Sequence, residues 1–293
     1  MKLIKPSFEI WEQPSGLEGV YKQIERAGRI CYKSEDKITE DSAKSFVDRM
    51  IKSGHGAMLE HGTVYLYNPG DKQMLDMIKR YSENPYSRLK VVKADSTGAI
   101  IGSVWITTNY RVIVENNWEK DLIYYSPNPV PLHPKRITVH FVCDRGVSHE
   151  FVRHRVMSFA QESTRYCNYS KDKFGNELTF IQPCWLDDER LKLYGPYHTV
   201  IRDKSLESIF IASLNNAEKD YIDLIDLGWK PQEARAVLPN SLKTELVVTG
   251  FVSDWNHFFD LRARGTTGAP HPQAKELAEP LMKEFIARKY INN

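Results

Sequence analysis

Apolar side chains recur at three- and four-residue steps through Ile211, Leu214, Ala217, Tyr221 and Leu224, which predicts an amphipathic helix after Arg202 that stops at Gly228. Pro231 then suits the first turn of another helix, where its missing N–H leaves no bond unmade. Residues 39–53, 146–157 and 273–288 also read as helices, whereas 63–67, 99–107 and 136–143 are rich in β-branched and aromatic side chains that favour strands. Helices and strands do not alternate in a βαβ rhythm, and neither a G-x-G-x-x-G loop nor a Walker loop is present, which argues against a Rossmann or P-loop site. The expected fold class is α+β.

With 293 residues, 41% of them hydrophobic and 27% charged, the chain can bury a sizeable core. The Pro/Gly-rich stretches at 68–71, 126–134 and 265–272 are short enough to be loops, and no repeat is visible, so one continuous domain over 1–293 with insertions is expected. A formal net charge of +2 is too close to neutral for a dedicated nucleic-acid binder, so any anion site must be local. Cys31, Cys143, Cys167 and Cys184 form no C-x-x-C pair, which points to reduced cytosolic thiols. No apolar run approaches a membrane span or a leader, so a cytoplasmic protein without a membrane anchor is expected.

The most unusual passage begins Arg153-His154-Arg155 and continues through Ser158, Gln161, Glu162, Ser163, Thr164 and Arg165 to Tyr166. If it is helical, Arg153 and Arg155 point about 200° apart and serve two different anions. The guanidinium fork suits phosphate, and Ser163 with nearby backbone N–H groups offers neutral donors. The plainer alternative is a surface helix laced with salt bridges. Metal is not expected: His149 and His154 are five residues apart, not four, and His55 and His61 have no cysteine or carboxylate at ligand spacing.

These residues resemble the signature R-H-R-x-x-S-x-N-E-x-S-x-R of the flavin-dependent thymidylate synthases. Arg153, His154, Arg155, Ser158, Ser163 and Arg165 occupy signature positions, while Ala160 stands for the usual Asn and Gln161 for the usual Glu. Upstream, Gly54-His55 and Glu60-His61-Gly62-Thr63 are similar to the family's G-H-x-x-x-x-E-H segment, whose residue matching Thr63 lies against the flavin. Downstream, Arg235 to Pro239, followed by Thr244-Glu245, is similar to its R-x-x-L-P segment, whose arginine reaches the nucleotide phosphate of a neighbouring subunit. Thr249-Gly250-Phe251, Trp255, His257 and Leu261-Arg262 resemble the stretch ending in its essential arginine, with Phe251 in place of the usual asparagine.

The resemblance implies reductive methylation of dUMP to dTMP without a cysteine nucleophile. FAD would be the cofactor, with NADPH as its reductant and methylenetetrahydrofolate as the carbon donor. Arg262 would lie beside the uracil and stabilise charge growing at N3/O4. Thr63, Arg153, His154, Arg155, Gln161, Phe251, Val252, Ser253 and His257 would meet the cofactor. Glu150, Phe151, Val152, Arg153, Gln161, Glu162, Ser163, Thr164, Arg165, Arg235 and Arg262 would meet the nucleotide. The family also implies one catalytic domain of mixed helices and mostly antiparallel sheet, here with insertions at about 68–135 and 264–272, assembled as a homotetramer. Cys184, after Pro183, is expected to pack as a small apolar residue between Ile181 and Trp185. The competing reading is an RNA-binding module that stacks bases on Phe159, Tyr166 and Tyr169 beside Arg153, Arg155 and Arg165, which near-neutral charge disfavours.

Overall fold

A computed structural model describes residues 1–93, 102–186, 188–192 and 205–292. In chain order the elements are β1 (Lys2–Ile4), β2 (Ser7–Trp11), α1 (Gly16–Tyr32), α2 (Ser42–Lys52), α3 (Gly56–Leu59) and β3 (Thr63–Asn68). There follow α4 (Met74–Glu83), β4 (Arg88–Lys93), β5 (Gly102–Asn109), α5 (Tyr110–Glu115), β6 (Arg136–Asp144), α6 (Arg145–Phe151) and β7 (Ser158–Gln161). The chain ends through β8 (Thr179–Ile181), α7 (Asp188–Lys192), α8 (Leu206–Asp226), α9 (Pro231–Ala234), β9 (Lys243–Phe251), α10 (Val252–Phe259) and α11 (Pro272–Ala287). The α+β expectation holds.

A four-stranded antiparallel sheet in the order β2-β6-β9-β7 carries the molecule. Alternation along β6 sends Ile137, Val139, Phe141 and Cys143 to one face, where they bury against Trp255, Phe258 and Phe259 of α10 and Leu277, Leu281 and Phe285 of α11. The opposite face carries Thr138 and His140 toward α1. There Thr249 shares hydrogen bonds of 2.9 Å with Thr138 and with Nδ1 of the fully buried His61, which satisfies the Thr249 hydroxyl.

β3, ahead of the expected insertion, pairs with β5, which also pairs with β4, to form a second antiparallel sheet, and Val64, Leu66, Val104 and Ile106 bury against α1, α2 and α4. A short parallel pair, β1 with β8, packs under α8 through Phe180, Ile211, Leu214 and Tyr221. The helix signalled by that last periodicity is present from Leu206; Arg202 itself lies outside the described residues. The strand expected over 99–107 appears as β5, with 99–101 likewise outside.

The expected helix over 146–157 is wrong in its second half. Asp144 caps α6 by accepting the Val147 N–H at 2.7 Å, but the helix stops at Phe151. Val156 then takes a left-handed φ of 76°, costly for a β-branched residue, and the chain reverses so that Ser158 to Gln161 can pair with Thr249 to Leu246 of β9. Ladder bonds to a strand ninety residues downstream override the local helical pattern. α1 and α4 went unremarked in the pattern above, although Val20, Ile24 and Ala27 of α1 keep helical spacing and are fully buried.

Candidate active site

Reversal after α6 turns His154 inward and leaves Arg153 and Arg155 exposed. His154 packs 4.9 Å from the Phe258 ring and 5.8 Å from His257 of α10. Its Nε2 accepts a 3.2 Å hydrogen bond from Arg262 Nε, which fixes the neutral tautomer with the proton on Nδ1. Burial, with Arg262 and His257 nearby, pushes its pKa down to about 4, so it is uncharged at neutral pH. That Nδ1 is buried and has no hydrogen-bond partner among the described residues.

Arg262 sits in a π-helical turn, Asp260–Arg264, that continues α10 and rotates the side chain back toward α6. Its Nη1 pairs with the Glu150 carboxylate, and its Nη2 donates to the Glu150 carbonyl at 2.8 Å. Arg262, Glu150, His154 and His257 thus form one cluster from segments more than a hundred residues apart. Glu150 also lines a cavity of about 330 Å³ with Asp144, Asn240, Ser241, His271 and Gln273. Phe151, expected to meet substrate, has a fully buried side chain 4.9 Å from Phe258 and belongs to the core; only its backbone is available.

Gln161, on β7 and not on a helix, donates from Nε2 to Ser148 Oγ at 2.8 Å and Thr244 Oγ1 at 3.2 Å. Glu162 is buried and is held by the Tyr169 hydroxyl and Lys243 Nζ, both at 2.9 Å, so its carboxylate is committed to the fold. Beyond it, Arg165 Nε donates to Gln232 at 3.3 Å and Arg235 Nη1 to Thr164 Oγ1 at 3.4 Å, which brings the signature's end and the R-x-x-L-P segment together within one chain. Ser163 anchors this loop through its N–H on the Cys31 carbonyl. No contact among the described residues joins this pair of arginines to the Arg262 cluster.

Arg153, Arg155, Arg165 and Arg235 are all exposed, and none makes an ion pair among the described residues. The salt-bridge-laced helix therefore falls on both counts: there is no helix, and the arginines are free for anions. Of the three aromatics that the RNA reading would stack bases on, Tyr169 is buried with its hydroxyl on Glu162, whereas Tyr166 is exposed. Cys184 does not pack as expected; it is exposed.

At the other end of the sheet Thr63 is fixed by Gln13, which accepts its N–H at 2.7 Å and donates to its carbonyl at 2.9 Å. Arg136 Nη1 donates to Thr63 Oγ1 at 3.1 Å and its guanidinium lies 5.6 Å from the Phe251 ring, so these two expected flavin neighbours meet through a residue the sequence reading passed over. Val252 is half-buried, and Ser253 and His257 are exposed. Ser148 and Asp144 were also missed. Arg136 was legible as a charge opening a strand rich in β-branched and aromatic residues, and Asp144 as a cap; Ser148 carries no local signal.

The family described as "Thymidylate synthase complementing protein" matches residues 121–288. The flavin-dependent thymidylate synthase of Pyrococcus furiosus is 30% identical over 190 residues, covering 64% of this chain and 70% of that protein. That of Corynebacterium aurimucosum is 24% identical over 276 residues, covering 93% and 78%. A UMP/dUMP methylase from Streptomyces cacaoi, crystallised with 5-Br dUMP, aligns over 98% of this chain and 93% of its own at 17% identity, with a TM-score of 0.44, too low to argue from.

Proposed function

The chain belongs to the thymidylate synthase complementing protein family, and from that membership we propose that it makes dTMP by flavin-dependent reductive methylation of dUMP. Methylenetetrahydrofolate supplies the carbon and NADPH the reducing equivalents. The observation that carries the reading is Arg262: a permanent cation held in a π-helical turn by Glu150 and by a histidine kept neutral, beside a cavity.

A guanidinium so placed stabilises negative charge that develops on the uracil carbonyl and ring nitrogen, and because it is already oriented it contributes with little reorganisation. Its neighbour His154 adds no competing charge at neutral pH. Arg165 and Arg235, with the Ser163 hydroxyl, suit the nucleotide phosphate; Gln161, locked by Ser148 and Thr244, presents its amide carbonyl as an acceptor. The residues present fit a flavin: the unpartnered His154 Nδ1 offers a donor, and exposed Arg153 and Arg155 offer cations to a diphosphate. FAD supplies hydride chemistry that side chains lack; the protein's share is orientation and electrostatics.

One catalytic domain over 1–293 with insertions at about 68–135 and 264–272, assembly as a homotetramer and a cytoplasmic location belong to the same reading. Among the described residues no helix is long and apolar enough to cross a membrane.

Absorption spectroscopy with anaerobic NADPH, with and without dUMP, tests the reading. Paired flavin bands that bleach, followed by dTMP formation on adding methylenetetrahydrofolate, are expected; protein that stays colourless after soaking with FAD refutes it. Arg262→Ala should lower kcat by roughly 10²–10³-fold, the usual loss of an oriented charge donor, while keeping the flavin spectrum.

A further inference from the structure

Arg136, which touches Thr63 and Phe251 at the edge of the proposed flavin site, is a buried charge that no side chain among the described residues neutralises. It opens β6, is 7% exposed, and donates only to neutral oxygens: Thr63 Oγ1 at 3.1 Å, the Glu60 carbonyl at 3.1 Å and Ser158 Oγ at 3.4 Å. Its Nε is buried with no partner, and no carboxylate lies within ion-pair distance among the described residues. Glu60, the acidic residue nearest by its backbone, spends its carboxylate on Arg111. Taking a guanidinium out of water without a counter-charge costs several kcal/mol, which folded proteins seldom bear unless something else meets the charge.

Arg136 and Thr63, the expected flavin neighbour, line a cavity of about 240 Å³ between the end of β2, the start of β3 and the 127–129 loop, so the inference drawn from it adjoins the proposed flavin site. That is room for an ionised group with part of the molecule that bears it. Lys135 lies on the same wall, its ammonium 3.9 Å from the Tyr290 ring centroid. Tyr65 and Trp11 add aromatic surface, and Glu12 is the carboxylate among the lining residues. Burial holds the basicity of both cations down, with Arg136 at about 10, the mark of charges short of partners.

We propose that this cavity is an oxyanion subsite, with Arg136 as its buried fork and Lys135 as its second cation, that takes the phosphate or carboxylate group of a small ligand against Tyr65 and Tyr290. Anion entry supplies the missing counter-charge and an acceptor for Nε. The subsite is distinct from the Arg165 and Arg235 pair, which lies past the far end of β7.

The test is calorimetric titration of the full chain, without flavin or nucleotide, with inorganic phosphate and separately with glutarate, against sodium chloride at equal ionic strength. Saturable binding of one oxyanion is expected; phosphate alone marks a phosphate ester as the natural source, glutarate alone a carboxylate. Arg136→Met should weaken it about tenfold or more, as loss of a charge-assisted fork does, and Arg136→Lys should retain part of it. The Arg136-dependent binding must persist in a background carrying Arg165→Gln and Arg235→Gln, which removes the pair assigned to the nucleotide phosphate. No binding beyond chloride, or full binding by a folded Arg136→Met protein, overturns the proposal; should that variant not fold, full binding by a folded Arg136→Lys/Lys135→Met variant does so. Since the titration needs no flavin, oxyanion binding through Arg136 in a protein that stays colourless after soaking with FAD would sink the synthase reading and leave this one standing.

Discussion

Cysteine chemistry is closed to this chain at the level of single residues. Burial pushes the Cys31 thiol up to about 11 and Cys167 up to about 12, and raises Cys143 as well; Cys184, though exposed, is also raised, chiefly by partial burial and then by Glu276. A thiol is a nucleophile only as thiolate, so none of the four is armed at neutral pH. Cys184→Ala should therefore form dTMP within about twofold of the parent rate, a change of under half a kcal/mol in the barrier. Loss of more than about tenfold in the same assay would restore a covalent cysteine adduct to the mechanism. Gln161 follows a similar logic: an amide can donate to both Ser148 and Thr244, and the carboxylate beside it, Glu162, is already neutralised by Lys243.

Among the elements, α1 sets how closely the chain entering it can pass. A Cβ on Gly19 would stand 1.9 Å from the Pro14 carbonyl oxygen and 2.4 Å from its carbon, both backbone atoms that cannot rotate aside. Gly19→Ala should destabilise by about 1–3 kcal/mol through overpacking, read as a lower thermal midpoint. An unchanged midpoint would mean that the 14–19 turn shifts freely. The same helix carries Glu25, paired with Arg29 at 2.7 Å and accepting the Ser42 hydroxyl at 2.7 Å, so it joins α2 through a satisfied polar contact as well as through Phe46 and Val47. At the site, the π-helical turn after α10 plays the corresponding part by aiming Arg262 at Glu150 and not along the α10 face.

For the whole molecule, buried histidines govern the response to acid. Burial lowers His61 to about 3 and His154 to about 4, and lowers His133 too, all from an ordinary 6.5. The unfolded chain takes up these protons below about 6.5 while the folded chain refuses them, so unfolding binds protons and stability falls as pH drops. Thermal midpoints should be level above pH 7, decline from about 6.5 toward 4 and keep falling toward 3, where Glu245, whose pKa is held low by His140 and Lys243, adds its own loss. A midpoint that rises between pH 7 and 5 would show that these histidines are not buried neutral.

Much of the architecture follows from short-range pattern. The helices at 206–226 and 272–287 and the strands at 63–68 and 136–144 lie close to where periodicity and side-chain type put them, because spacing along one element is a local property. The R-H-R signature and Arg262 were likewise readable as residues in order. Tertiary structure alone decided that 152–157 is a reversal and not helix, that Gln161 lies on a strand, and that Arg262 closes on Glu150 and His154. It alone decided that Arg136 is buried without a counter-charge. Each of these depends on pairing or burial between segments far apart in the chain, and hydrogen bonding and desolvation are set by what surrounds a group in space, which no window of sequence contains.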